Sequence, residues 1–349
     1  GSSKGSKNCL DIWRDAGVPG EQNDGRMAMS SGKAVLLIVV GLAVPCAALF
    51  VGPRMISPFD IDPTSRQIIL SIRLPRILVS LLMGTALGAS GAVLQGILRN
   101  PLADPYILGI SSGAALMAAL GLLFGLFIFG FFTIPLLAFI GAFATGMAVG
   151  IMGYRRGGLW PERLLLAGVG ISFLFSSILT LIMGISSNEG LRRAVLWISG
   201  DLSLADWTLI PYGLGFILLG LSLALWRAKG LNALMLGDEI AYSLGFSPFR
   251  ERLILFISIG LMTSSSVSLG GMVGFIGLLM PHLVRFFAGA DSRILIPLSG
   301  LTGGALLCTA DTIGRTIMAP VELPAGVITA IIGAPYFLFL LRRKDILSL

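Results

Sequence analysis

Apolar residues run through the chain in blocks of about twenty, cut by short polar interruptions. A helix rises about 1.5 Å per residue, so a block of about 20 residues crosses the ~30 Å hydrocarbon core of a bilayer. Ten blocks qualify, near 34–52, 76–98, 106–127, 130–153, 163–185, 207–226, 253–271, 272–289, 293–313 and 324–341. Only GGMVG (270–274), room for a tight break, divides the seventh from the eighth. The first block also has the length of a signal sequence ending at Cys46. Pro45 fits such a cleavage site poorly and no small-residue site follows, so the block reads as a retained helix. LRRAVLWISG (191–200) is too short and polar to span and reads as a partial or re-entrant helix near the external surface. Residues 1–32 read as a disordered or appended Gly/Ser-rich tail, leaving 33–349 as one polytopic domain.

Composition agrees. Of 349 residues 55% are hydrophobic and 12% charged, and mean hydropathy is +0.90. Soluble domains carry about 25% charged residues. The net charge of +7 would suggest a nucleic-acid binder if it were clustered on one face. It follows topology instead. With both ends in the cytosol, external segments hold seven basic residues, Arg54, Arg66, Arg73, Arg76, Arg192, Arg193 and Arg315, and the other 18 of 25 face inward, all five lysines among them. That bias predicts an all-α, multi-pass protein of a cell inner membrane with cytoplasmic termini. Cys9, Cys46 and Cys308 lie far apart and match neither a metal spacing nor a disulfide framework. GTALG (84–88), GISSG (109–113) and GGMVG each read first as close helix packing.

One stretch breaks the oily pattern. The longest cytosolic loop, about 227–252, contains ALMLGDEIAYSLGFSPF (233–249). Asp238 is a candidate N-cap with Glu239 beside the positive end of the dipole, Leu236, Ile240 and Leu244 share one apolar face, and Gly245 with Pro248 stops the helix. A helix under two turns is marginal alone. It packs on its own bundle or is a knob for a cytosolic partner. No G-x-x-x-x-G-K-[ST] is present, and Asp311 is the main acid within a span, so an energy source outside the chain is expected.

Other chemistry is sparse. GISSG also fits G-x-S-x-G, which with the single histidine would make Ser111 and His282 a remote intramembrane hydrolase. Ser111 lies in an apolar helical run, however, where no nucleophile elbow forms. His282, after Pro281 in LLMPHLVR, reads as a packing partner and not a metal or haem ligand. Ser172, Ser176 and Thr180 repeat at helical spacing and either line a pathway or act as interhelical glue. Arg73 and Arg76 are either snorkelling interfacial residues or receivers of carboxylates. An ion-coupled secondary transporter remains the alternative to an ATPase-driven one.

Five stretches carry a family resemblance: IRLPRILVSLLMGTALGASGAVLQGILRNPLADPYILGISSGA (72–114), RLLLAGVGIS (163–172), ALMLGDEIAYSLG (233–245), GFIGLLMPHLVR (274–285) and ELPAGVITAIIGAPYFLFLLRR (322–343). In order and content they resemble the permease family of type II ABC importers, which take up vitamin B12, iron-siderophores and haem. The resemblance implies ten helices per subunit, a homodimer with the pathway at its interface, two cytosolic ATPase subunits that bind ATP and Mg, and a periplasmic binding protein. The chain itself then has no cofactor, metal or catalytic residue. It implies that Gly237, Asp238, Glu239, Ile240, Ala241, Leu244 and Gly245 form the ATPase-coupling helix and that Arg73, Arg76 and Arg315 dock the binding protein. Asn100 and Leu102 of the N-P-L turn match one part of the cytoplasmic gate. At its other part, where some relatives carry small hydroxyl residues, this chain has Pro161 and Glu162.

Overall fold

A computed structural model describes residues 31–342 except 60, 61, 127, 156, 157 and 187. Residues 1–30 of the expected tail, Arg156, Arg343 and Lys344 lie outside the described residues. Every predicted block contains a helix: α1 (Ser31–Ala48), α3 (Leu74–Leu98), α4 (Ile110–Leu123), α5 (Thr133–Gly153), α6 (Pro161–Gly184), α8 (Ile210–Trp226), α11 (Pro248–Gly270), α12 (Ile276–Ala288), α13 (Ser292–Thr316) and α14 (Ala325–Arg342). The amphipathic segment expected near the surface is α7 (Asn188–Ile198), with Ala194 and Trp197 turned inward.

Three features depart from the sequence reading. Helix two starts thirteen residues earlier than its apolar block: α2 (Pro63–Ile68), capped by Asp62 Oδ1 accepting from Ser65 N–H at 3.1 Å, runs through a π-helical turn at Ile69–Arg73 into α3. The loop at 227–252 is largely helical, because α8 bends by 54° into α9 (Ala228–Leu236) before α10 (Asp238–Ser243) begins. A two-residue hairpin joins α5 to α6, with β1 (Tyr154–Arg155) antiparallel to β2 (Gly158–Leu159).

The core forms around α3, where glycines replace side chains along one face. A Cβ at Gly84, Gly88 or Gly91 would collide with the backbone oxygens of Gly303, Ser299 or Gly277, so α3 lies directly on α13 and α12. Gly113 meets α5 the same way at Gly141 and Thr145. GGMVG is different. Gly271 takes φ +79, its position against the Trp197 oxygen leaves no room for a Cβ, and the backbone stays non-helical until Ile276. The Tyr106 hydroxyl accepts from Val273 N–H there at 3.0 Å. That motif ends α11 ahead of α12, and Gly271 sets the break against the backbone of α7. By contrast α6 buries only Leu164 and Gly168 in this single chain.

Candidate functional site

The helix α10 is built by its ends. Gly245, at φ +84, donates to Tyr242 O at 3.0 Å and Phe246 donates to Ala241 O at 2.9 Å, the paired bonds of a glycine-terminated helix. Its start corrects the sequence reading. Gly237 is the N-cap and Asp238 the first helical residue, so the Asp238 carboxylate caps nothing. Arg252 at the head of α11 takes both its oxygens in a fork, Nη1 to Oδ2 and Nη2 to Oδ1, each 2.7 Å, and Arg99 at the end of α3 donates to Oδ1 as well. Burial opposes the charge, but these two guanidinium groups outweigh it and hold the Asp238 carboxyl below the usual range. Ala241 is buried, whereas Leu236, Ile240, Tyr242 and Leu244 are 46–76% exposed. The apolar face expected to need support therefore finds none within the chain.

Beside α10 lies a groove of about 670 Å³ lined by Arg99, Trp160, Pro161, Glu162, Asp238 and Arg252 among others. Pro161 and Glu162, at the head of α6, thus share the lining of one groove with Gly237, Glu239 and Ile240. Asn100 and Leu102 follow Arg99 directly, with Leu102 N–H donating to Asn100 Oδ1 at 2.9 Å. The turn closes on Asp104, whose Oδ1 accepts from Tyr106 N–H at 2.9 Å. Burial pushes this carboxyl up to about 6 against the backbone donors of Tyr106 and Leu278.

The three arginines expected on the external side are not displayed outward. Arg73, Arg76 and Arg315 are 3–6% exposed. Arg76 Nε donates to both Asp311 oxygens at 2.9 and 3.0 Å, and Nη1 pairs with Glu322 at 2.6 Å. Arg73 donates to Leu49 O at 2.7 Å and to Arg54 O; Arg315 donates to Ala48 O at 2.7 Å. The two arginines of R-L-P-R find different partners: Arg76 meets Asp311 on α13, where Arg315 stands one turn further on, while Arg73 is held by the backbone oxygens of Leu49 and Arg54. Glu322, 41% exposed, is the side of this cluster open to solvent.

Thr180 Oγ1 donates to Ser176 O of its own helix at 2.8 Å, and Ser172 faces Gly109. Ser111 sits in the first turn of α4, preceded by a 3-10 turn and no strand, which removes the elbow a hydrolase needs. His282 lies within α12. Among the described residues no three His, Cys, Asp or Glu side chains gather as metal ligands. Sequence reasoning passed over Gln95, Arg99, Arg252 and Glu322. Arg99 directly precedes N-P-L, which was signal enough to examine it.

Residues 36–343 match the FecCD transport family. The chain is 39% identical over 318 residues to the hemin transport system permease protein HmuU of Yersinia pestis, covering 89% of this chain and 94% of that one. It is 37% identical to the cobalamin import system permease protein BtuC of Halobacterium salinarum over 312 residues, 89% and 83% of the two chains. A solved inward-facing structure of a metal-chelate type ABC transporter superposes with TM-score 0.81 at 32% identity, covering 89% of this chain and 98% of that chain.

Proposed function

The chain belongs to the FecCD transport family, and from that premise we propose that it works as a homodimer, driven by two cytosolic ATPase subunits and fed by an external binding protein. It is a permease subunit of an ABC importer and not an enzyme, as its relatives are. The cargo class is a metal chelate: haem, an iron-siderophore or cobalamin, the kinds named for those relatives. The observation that carries the reading is α10, a short helix clamped to the bundle through Asp238 while its apolar side chains stay uncovered. In water such a face favours a partner groove, and apolar anchors at its centre would dominate the association.

The work is alternating access. Closure of the ATPases displaces α10, and Pro161 and Glu162 across its groove, together with the Asn100–Leu102 turn, gate the cytosolic side. Ser172, Ser176 and Thr180 lie on α6, which buries only Leu164 and Gly168 against its own chain; in a homodimer with the pathway at its interface, this is the helix turned to the second subunit. On the other side Arg73, Arg76 and Arg315 serve the binding protein, whose carboxylates exchange with Glu322 on Arg76. Orientation follows the basic residues: both termini and α10 in the cytosol. ATP and Mg are held by the partner ATPase.

Ile240→Asp or Glu239→Lys, assembled with the ATPase in proteoliposomes, should lower transport-stimulated ATP hydrolysis by about 10-fold or more while detergent-solubilised chain keeps its melting profile. Unchanged stimulation contradicts the assignment of α10.

A further inference from the structure

The last turn of α3 carries two side chains whose bonds lead in opposite directions. Arg99, the left-handed C-cap at φ +49, donates Nε to Leu234 O of α9 at 2.7 Å and its guanidinium to Asp238 of α10. One turn earlier Gln95, 2% exposed, faces the bundle. Its Nε2 donates to Ala103 O in the turn after N-P-L at 3.2 Å and to Leu278 O of α12 at 3.2 Å, and its Oε1 accepts from Arg285 Nη1 at 2.7 Å. The backbone joins the two: Asn100 N–H returns to Gln95 O at 3.1 Å, and Arg99 N–H to Gly96 O at 3.3 Å. These backbone bonds tie Gln95 and Arg99 into one short piece, with α9–α10 on one end and the 100–103 turn on the other.

We infer that Arg99 and Gln95 are positioning residues that carry a displacement of α10 into the Asn100–Ala103 turn. Both are distinct from the face offered to the ATPase, and the inference rests on the reading of α10 as the coupling helix. The physical reason is stiffness. Asp238 is gripped by two guanidinium groups through charge-assisted bonds, which are shorter and stronger than neutral hydrogen bonds. A push on α10 therefore moves Arg99, and Arg99 cannot move without its own turn. Gln95 then shifts its acceptor at Ala103 and its acceptor on α12 together. Contiguity alone does not establish energetic coupling, so the test has to measure it.

The reporter is Leu102→Cys in a background where Cys9, Cys46 and Cys308 are alanine, with the chain assembled with its ATPase in proteoliposomes. A hydrophilic maleimide reads exposure of the turn with and without ATP plus vanadate. In the otherwise unaltered chain the nucleotide changes the labelling rate. Arg99→Ala should shrink that nucleotide-dependent change by about 5-fold or more while the ATPase stays bound and hydrolyses within about 2-fold of the parent rate. Gln95→Leu should do the same, and the double variant should be no worse than either single one, as members of one unit are non-additive. Arg99→Lys keeps the charge but not the fork, and should fall between. An undiminished change in Arg99→Ala, additive losses in the double variant, or release of the ATPase by Arg99→Ala would each overturn the inference. A parent complex without any nucleotide response instead removes the coupling-helix reading itself.

Discussion

Asp104 shows what a single buried carboxyl does to the turn beside the proposed gate. Its folded-state pKa of about 6 stands above the ordinary 3.8 because burial disfavours the charge. A raised carboxyl stabilises the fold fully below the unfolded value and loses that contribution as pH rises through the folded one. The chain should therefore lose about 1–3 kcal/mol between pH 4 and pH 6.5 from this group. Asp104→Asn keeps an Oδ1 acceptor for Tyr106 N–H and removes the titration. Thermal melts of parent and variant in detergent should match at pH 4 and diverge by pH 7 with Asn the more stable; parallel curves would refute the assignment. Asp238 marks where residue-level reading fails. Local rules offered it the helix N–H groups, but the fold supplies Arg99 from 139 positions away and Arg252 from 14. A forked guanidinium outbids a backbone donor, and nothing near Asp238 announces that Arg99 will arrive.

At the scale of elements, small residues at four-residue spacing predicted close helix packing at GTALG, and the structure supplies the partner, α13, whose Ser299 backbone oxygen any Cβ at Gly88 would strike. Backbone cannot rotate away as a side chain can. Gly88→Ala should cost about 1–3 kcal/mol, whereas Gly215→Ala in α8, with nothing within 4 Å of the added Cβ, should be neutral or slightly stabilising. Melting temperature and the monodisperse fraction after solubilisation would read both, and equal losses would mean that the contact does not set stability. At GGMVG the tight break forms as expected, and Gly271 supplies what spacing alone does not describe, a positive φ together with a close approach to the Trp197 oxygen of α7. Apolar blocks located a helix each time yet hid α2 and α9. The hydropathy of a span reports lipid, while α2 lies outside it and α9 is signalled only by a bend without Gly or Pro at residues 226–228.

For the whole molecule, the decisive geometry is that one helix separates the two ends of the machine. Arg76 stands at the start of α3 and Arg99 just past its end. Twenty-five residues at 1.5 Å span ~37 Å, more than the hydrocarbon thickness. The arginine cluster and α10 must then face opposite compartments. Exposed α6 does not decide between lipid and a second subunit on its own, since Thr180 and Ser177 satisfy their hydroxyls within the helix at 2.8 Å each. Compartment is decided by charge, and charge can be tested. Phe59 is 97% exposed at the arginine end and Tyr242 is 76% exposed on α10. In intact cells an impermeant maleimide should label Phe59→Cys, and should label Tyr242→Cys only after permeabilisation, at least about 10-fold apart given the bilayer's exclusion of charged probes. Labelling of both from one side would contradict the span of α3. Labelling in the reverse order would leave the span intact but turn α10 away from cytosolic ATP, and with it the source of work for uptake.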